Sequence, residues 1–182
     1  GLAERGGPQP DLATFLKQGI SARGTMFNEV FPVVPHSAQH LEHADLAAMA
    51  SFLLGDPPPK ARVVGPVPVA QMAASAQRGR QQYLNVCAGC HGVEGEGKPH
   101  IAVAMQGNTV LRQGDSRNLV KVILDGIGEQ QFTGFERMQP MPGFADKLDE
   151  RQVTDMVNYL RQAWGGLPGD FSEQQLAELK AE

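Results

Sequence analysis

The stretch Cys87-Ala-Gly-Cys-His91 contains both cysteines of a 182-residue chain and sets a histidine directly after the second. Three chemistries use such a pair: a disulfide, a zinc site, or covalent attachment of haem c. A disulfide across two intervening residues closes a loop too short to constrain much of the unfolded chain. A redox dithiol wants a thioredoxin-like strand and helix around it, which the flanking residues do not supply. A structural zinc needs four ligands, and beyond Cys87, Cys90 and His91 the next candidate is His100, in a glycine-rich loop. Only the haem reading uses all three residues. Two thiols on one helical turn can add to the two vinyl groups while the adjacent imidazole coordinates iron.

That reading expects a second axial ligand well downstream, usually a methionine in small haem proteins of this kind. "RMQPMPGFADKL" supplies Met141, followed by Pro142 and Gly143, which hold the chain in an extended loop and present a thioether over a flat macrocycle. Met105 and Met138 are its competitors, since methionine is also ordinary core filler. A helix from about Asp149 to Trp164 follows, with Val153, Met156, Val157, Leu160 and Trp164 at helical spacing, Asp149 as N-cap, and Gly165-Gly166 as its stop.

Two more helices complete a cofactor-centred domain. In "AQRGRQQYLNVCAGCH", Gly79 and Tyr83 share a face, a small residue allowing close approach beside an aromatic that fills space, with the Leu160 and Trp164 face as partner. "SRNLVKVILDG" has Ser116 as N-cap candidate, Leu119, Val122 and Ile123 on one side, and a stop at Gly126. Residues 77–166 therefore read as one small all-helical domain wrapped around its cofactor.

These residues, with "GNTVL" and "MPGFADKLDERQVTDMVNYLRQAWGG", resemble the last haem domain of the multi-haem cytochrome c subunits of membrane-bound alcohol, gluconate and sorbitol dehydrogenases. The resemblance implies an all-α, class I cytochrome c fold with one covalent haem c, Cys87 and Cys90 as thioether links, His91 as proximal ligand and Met141 as distal ligand. One departure stands out: the family usually has prolines shortly before its "GN" pair, where this chain reads Ile101-Ala-Val-Ala-Met-Gln106. Those prolines shape the proximal side, so the packing around His91 is expected to be built differently here.

The first 56 residues are explained by comparing the chain with itself. "DLATFLKQG", ending at Gly19, matches "NLVKVILDG", ending at Gly126, and "LEHADLAAMASFL" from Leu41 matches "LDERQVTDMVNYL" from Leu148, both at an offset of 107. In the second pair Leu46 falls over Val153, Met49 over Met156, Phe52 over Tyr159 and Leu53 over Leu160. Residues 1–56 thus read as the back half of a second haem domain. The same offset carried back from Cys87 lands about twenty residues before Gly1, so the matching attachment site is not in this chain. A fragment of a longer multi-haem protein is favoured over a lineage that lost that haem and kept the half-domain as packing, because helices built to cover haem would otherwise expose apolar faces. Met26, in "GTMFNEVFP", is the candidate axial ligand of that second haem. The family supports it, although Met141 falls over Val34 at the common offset.

Between the halves, residues 57–76 carry Pro57, Pro58, Pro59, Pro66 and Pro68 and read as a semi-rigid linker. Residues 167–182 read as a tail helix, with Ser172 and Gln175 in a capping-box pattern and Leu176 and Leu179 as the buried residues. The tail is too short and polar to span a membrane. His36 and His40 invite a metal reading, but Pro35 and a helix start near Glu42 put His36 in a loop without completing ligands. A net charge of -4, with no basic patch, argues against nucleic acid as a partner. No signal peptide or transmembrane segment is visible in the sequence, so membrane association is expected only through missing segments or partners.

A His/Met iron leaves no open position for substrate, and thioether ligation favours the ferrous state. The expected role is electron transfer and not catalysis by the chain alone. The alternative is a redox or gas sensor, which needs a labile distal ligand. The resemblance implies a periplasmic carrier, possibly at the outer face of the cytoplasmic membrane, that passes electrons from a dehydrogenase catalytic subunit of flavin, quinoprotein or molybdenum type toward ubiquinone or a terminal oxidase.

Overall fold

In the computed structural model, residues 8–21, 23–58, 60, 64–65, 67–132 and 137–181 are described; Pro59 and Pro66 of the linker and residues 1–7 lie outside them. Along the chain run α1 (Gln9–Gln18), a hairpin of β1 (Ile20–Ser21) and β2 (Gly24–Thr25), one-turn α2 (Val33–His36) and α3 (His43–Leu54). Then come α4 (Ala74–Val86), one-turn α5 (Ala88–His91), α6 (Arg117–Asp125), a second hairpin of β3 (Gln130–Gln131) and β4 (Arg137–Met138), α7 (Glu150–Leu160) and α8 (Glu173–Lys180). Both hairpins are antiparallel and only two residues a side. The chain is mostly helical, as its periodicity predicts.

The C-terminal domain is organised by the crossing of α4 on α7. A Cβ added at Gly79 would fall on the main-chain carbonyl of Asp155, so this is where the two backbones come closest. Beside the crossing, Tyr83, Tyr159 and Trp164 form a cluster with centroids 5.1 to 5.5 Å apart, all tilted or edge-on. A polar clasp flanks it. Arg78 donates to both oxygens of Asp155 at 2.7 Å, and the Ser75 hydroxyl donates to the same carboxylate at 2.5 Å.

Asn158, 1% exposed, extends the clasp: its amide donates to Ser75 Oγ at 2.8 Å and to the Phe171 carbonyl at 2.9 Å, and accepts the Phe171 N–H at 2.9 Å. The tail is thereby tied into the core, where Leu176 is fully buried. Asn158→Ala strands two backbone groups of Phe171, and we expect a loss of about 2–3 kcal/mol, read as a lower urea midpoint.

The helix ends follow the sequence in two places and depart from it in others. Asp149 and Ser172 each cap through a complete capping box, with Gln152 and Gln175. Ser116 stands at the start of α6, but its buried hydroxyl accepts from Arg161 Nη1 at 2.6 Å, and Asp115 instead takes the Arg117 N–H at 2.8 Å. The α-helix read to Trp164 stops at Leu160 and continues as one wider π turn, Arg161–Gly165, which sets Trp164 against both tyrosines. Helix α4 begins at Ala74 and Met72 joins the core, so the ordered domain reaches into the stretch read as linker, which makes a 3-10 turn at Val69–Gln71. His36 closes α2 and does not lie in a loop.

The internal repeat is visible in three dimensions. Gly19 and Gly126 end α1 and α6 with φ of 76° and 75°, and α3 begins at His43, where α7 begins at Glu150. Helix α1 packs on α3 through Ala13, Leu46 and Ala50. The outer face of α3 lacks the cover that α4 gives α7: Met49, Phe52 and Leu53 are 39%, 88% and 41% exposed, whereas Met156, Tyr159 and Leu160 are 1%, 5% and 3% exposed. Among the described residues no helix stands where an α4 of the first repeat would stand.

Candidate functional site

Helix α4 ends at Val86, and Cys87 turns the chain into α5, its N–H donating to the Tyr83 carbonyl at 2.9 Å. Cys90 and His91 then both donate their N–H groups back to the Cys87 carbonyl, at 3.1 and 2.9 Å, so all three functional side chains project from one turn. The two cysteines are not joined in a disulfide; Cys87 is half-buried and Cys90 exposed. Burial, with Cys90 adding, pushes the Cys87 thiol up to about 12, which keeps it protonated at neutral pH.

The His91 ring is buried and its Nδ1 lies 2.9 Å from the Val103 carbonyl. A carbonyl can only accept, so Nδ1 carries the proton and Nε2 keeps its lone pair. Burial lowers the imidazole pKa, opposed by the Val103 hydrogen bond, and the ring stays neutral and able to ligate. Val103 belongs to the proline-free stretch 101–106, which supplies this orienting carbonyl. The loop before it is pinned by Tyr83 Oη, which donates to Gly92 O at 2.5 Å, and by Gly97 N–H, which donates to His91 O at 2.7 Å. Burial raises the Tyr83 phenol pKa well above its usual range, so it remains a donor.

Met141 is presented from the other loop. It forms an antiparallel bridge with Ile127, N–H to carbonyl in both directions at 2.9 and 3.0 Å. Gly126 makes this possible: its φ of 75° lets the chain leave α6 directly beneath the Met141 carbonyl, where any Cβ would collide.

Between these loops lies an apolar cleft lined by Cys87, Cys90, His91 and Met141, with Val103, Leu111, Leu119, Ile123, Phe144 and Leu160 among its walls. The cleft opens to solvent on one side, and its facing apolar walls suit a large flat cofactor. Met105 and Met138 line it as well. Met105 shares its loop with Val103, so it sits on the His91 side, whereas Met138 in β4 sits with Met141. Two thiols, an imidazole with its lone pair free, a thioether and an apolar wall are the donor set of haem c, and the residues fit that group.

Other residues singled out in the sequence lie elsewhere. Met26 is buried in the N-terminal half and does not line the cleft. The structure nevertheless brings its loop close to the place of Met141 in the other repeat: Ile20, one repeat before Ile127, pairs with Thr25, the residue just before Met26. Val34, which the fixed offset places under Met141, is core. His100 is exposed in a turn and His36 is exposed on α2. Among the described residues no three His, Cys, Asp or Glu side chains are grouped to hold a metal ion, and no helix is long and apolar enough to cross a membrane. Sequence reasoning missed the Val103 carbonyl, the Tyr83 hydroxyl and Gln130, Thr25 and Phe27 on the cleft. A main-chain acceptor and a contact between distant segments leave no local pattern to read.

Residues 76–164 match the family described as cytochrome c. Cytochrome c-552 of Thermus thermophilus is 30% identical over 104 residues, covering 52% of this chain and 79% of that protein. The cytochrome c subunit of the quinone alcohol dehydrogenase of Gluconobacter oxydans strain 621H is 28% identical over 179 residues, 94% of this chain. The gluconate 2-dehydrogenase cytochrome c subunit of Pantoea cypripedii is 27% identical over 183 residues, again 94%. The chain spans 37% and 41% of the lengths of these two dehydrogenase subunits.

Proposed function

This chain belongs to the cytochrome c family, and from that premise we propose that it is an electron carrier: a segment of a multi-haem cytochrome subunit that takes electrons from a dehydrogenase catalytic subunit. The observation that carries the proposal is the cleft with Cys87, Cys90 and His91 on one side and the doubly bridged Met141 on the other. Bound there, haem c supplies an iron that exchanges one electron between its ferric and ferrous states.

The residues of the chain do the rest. Cys87 and Cys90 would hold the macrocycle through thioether bonds, and His91 Nε2 and Met141 Sδ would be the ligands offered to its iron. Val103 fixes the imidazole tautomer, and the Ile127 bridge holds Met141 so that little rearrangement accompanies a change of charge. The apolar walls exclude water and disfavour the more charged ferric state, which raises the potential together with the thioether ligand.

The acceptor in this proposal is a quinone or a terminal oxidase, and the proposed location is the periplasm. The bare face of α3 supports the reading of residues 1–56 as the back half of a further haem domain in a longer protein. The intact mass of the purified chain with its reduced and oxidised visible spectra tests the proposal. One covalently added haem with a low-spin His/Met spectrum is expected. A chain that never gains haem mass when produced with a haem-attachment system, or a high-spin spectrum open to ligands, defeats it.

A further inference from the structure

The cleft is not closed by the C-terminal domain alone. Thr25 and Phe27, more than fifty residues upstream of Cys87 and in the other half of the chain, both line it. The segment is extended, with Phe27 at φ -146° and ψ 168°, and side chains alternate along an extended chain. Met26, between them, therefore turns the opposite way and is itself buried, 7% exposed. One short strand lines the cleft with one face and buries a methionine on the other.

Four contacts join this strand and the residues flanking it to the C-terminal domain. Gln130 Nε2 donates to the Met26 carbonyl at 2.8 Å, a bond between buried groups. The Thr109 N–H donates to the Arg23 carbonyl at 3.1 Å. Gly24 lies against the Asn108 amide so closely that a Cβ would stand 3.3 Å from its oxygen. Phe31 meets Phe132 edge-on, with centroids 5.3 Å apart. Arg23 in turn pairs with Asp11 of α1 at 3.2 Å, so the strand is anchored in both halves.

Gln130 is the centre of this arrangement. It is 6% exposed, it lines the cleft, and its amide hydrogen is spent on a main-chain carbonyl of the other half. A side-chain amide in an apolar wall is costly unless it is bonded, so its place there is explained by the strand it holds. We propose that residues 24–27 form a wall of the cofactor cleft and that Gln130 is the positioning residue that holds this wall closed. The N-terminal half thereby sets the water exposure, and so the potential, of a haem it does not attach. The inference rests on the haem reading above.

The test uses the full 182-residue chain loaded with haem. Gln130→Leu removes the tie at similar volume, and Phe27→Ala removes the wall while keeping the tie. Each is expected to lower the reduction potential and to raise the affinity of the ferric form for imidazole by about tenfold, as water and ligand gain access to the cleft. Phe52→Ser, on the exposed face of α3, is the control and moves neither quantity. An unchanged potential and imidazole affinity in Phe27→Ala overturns the proposal even where Gln130→Leu folds poorly. Faster amide exchange over Ile20–Phe27 in Gln130→Leu with the potential unchanged also overturns it, since the tie would then hold a strand that does not wall the cleft. Failure of the haem reading itself shows differently, as a wild-type chain without covalent haem.

Discussion

Met141→Ala lowers the reduction potential of the haem-loaded chain and opens its iron to carbon monoxide. The expected shift is on the order of 0.1 V or more, within the ~0.8 V over which axial ligands set haem potentials. The thioether is a poor σ donor to ferric iron, so its removal stabilises the oxidised state relative to the reduced one. Attachment itself should survive, because Cys87, Cys90 and His91 lie on a turn whose hydrogen bonds involve Tyr83, Val103 and Gly97 and not Met141. Visible spectroscopy and a redox titration check this directly. An unchanged spectrum would pass the ligand role to Met138, which shares the Met141 side of the cleft. Met105 is ill placed for it, because its own loop carries the carbonyl that holds His91.

Gly79→Ala destabilises the domain by about 3 kcal/mol, although the same change on an exposed helix surface would stabilise it. Alanine is favoured over glycine inside a helix by ~1 kcal/mol. Here the added methyl lands on the Asp155 carbonyl and within 2.9 Å of Tyr159 Cβ, so α4 and α7 must separate. Overpacking of a close-packed core costs about 1–3 kcal/mol, occasionally more, and the displaced backbone also stretches the Arg78–Asp155 and Asn158 contacts. The steric effect wins because a backbone carbonyl cannot swing aside as a flexible side chain can. A urea or thermal unfolding midpoint equal to or above that of the parent chain would show that the helices can slide at little cost.

Much of this protein is legible one segment at a time. Cys87, Cys90 and His91 announce their chemistry because covalent attachment and ligation need those residue types within one turn, a purely local demand. The capping boxes at Asp149 and Ser172 and the glycine stops at Gly19 and Gly126 are local for the same reason. The repeat at an offset of 107 is legible because helix faces that bury against a common partner keep their spacing.

The tertiary structure alone decided what depends on segments far apart in the chain. It gave Ser116 to Arg161 instead of to its own helix, because a buried guanidinium must find acceptors wherever they lie. It set Thr25, and not Val34, opposite Ile20, because the loop that returns to the first bridge is shorter than the one that returns to Met141, and a fixed offset cannot follow a change of loop length. And it placed Phe27 and Gln130 on one cleft from opposite halves of the molecule. That contact is centred on an amide-to-carbonyl hydrogen bond, and main-chain carbonyls are the same at every residue, so no pattern of side chains along the chain could announce it.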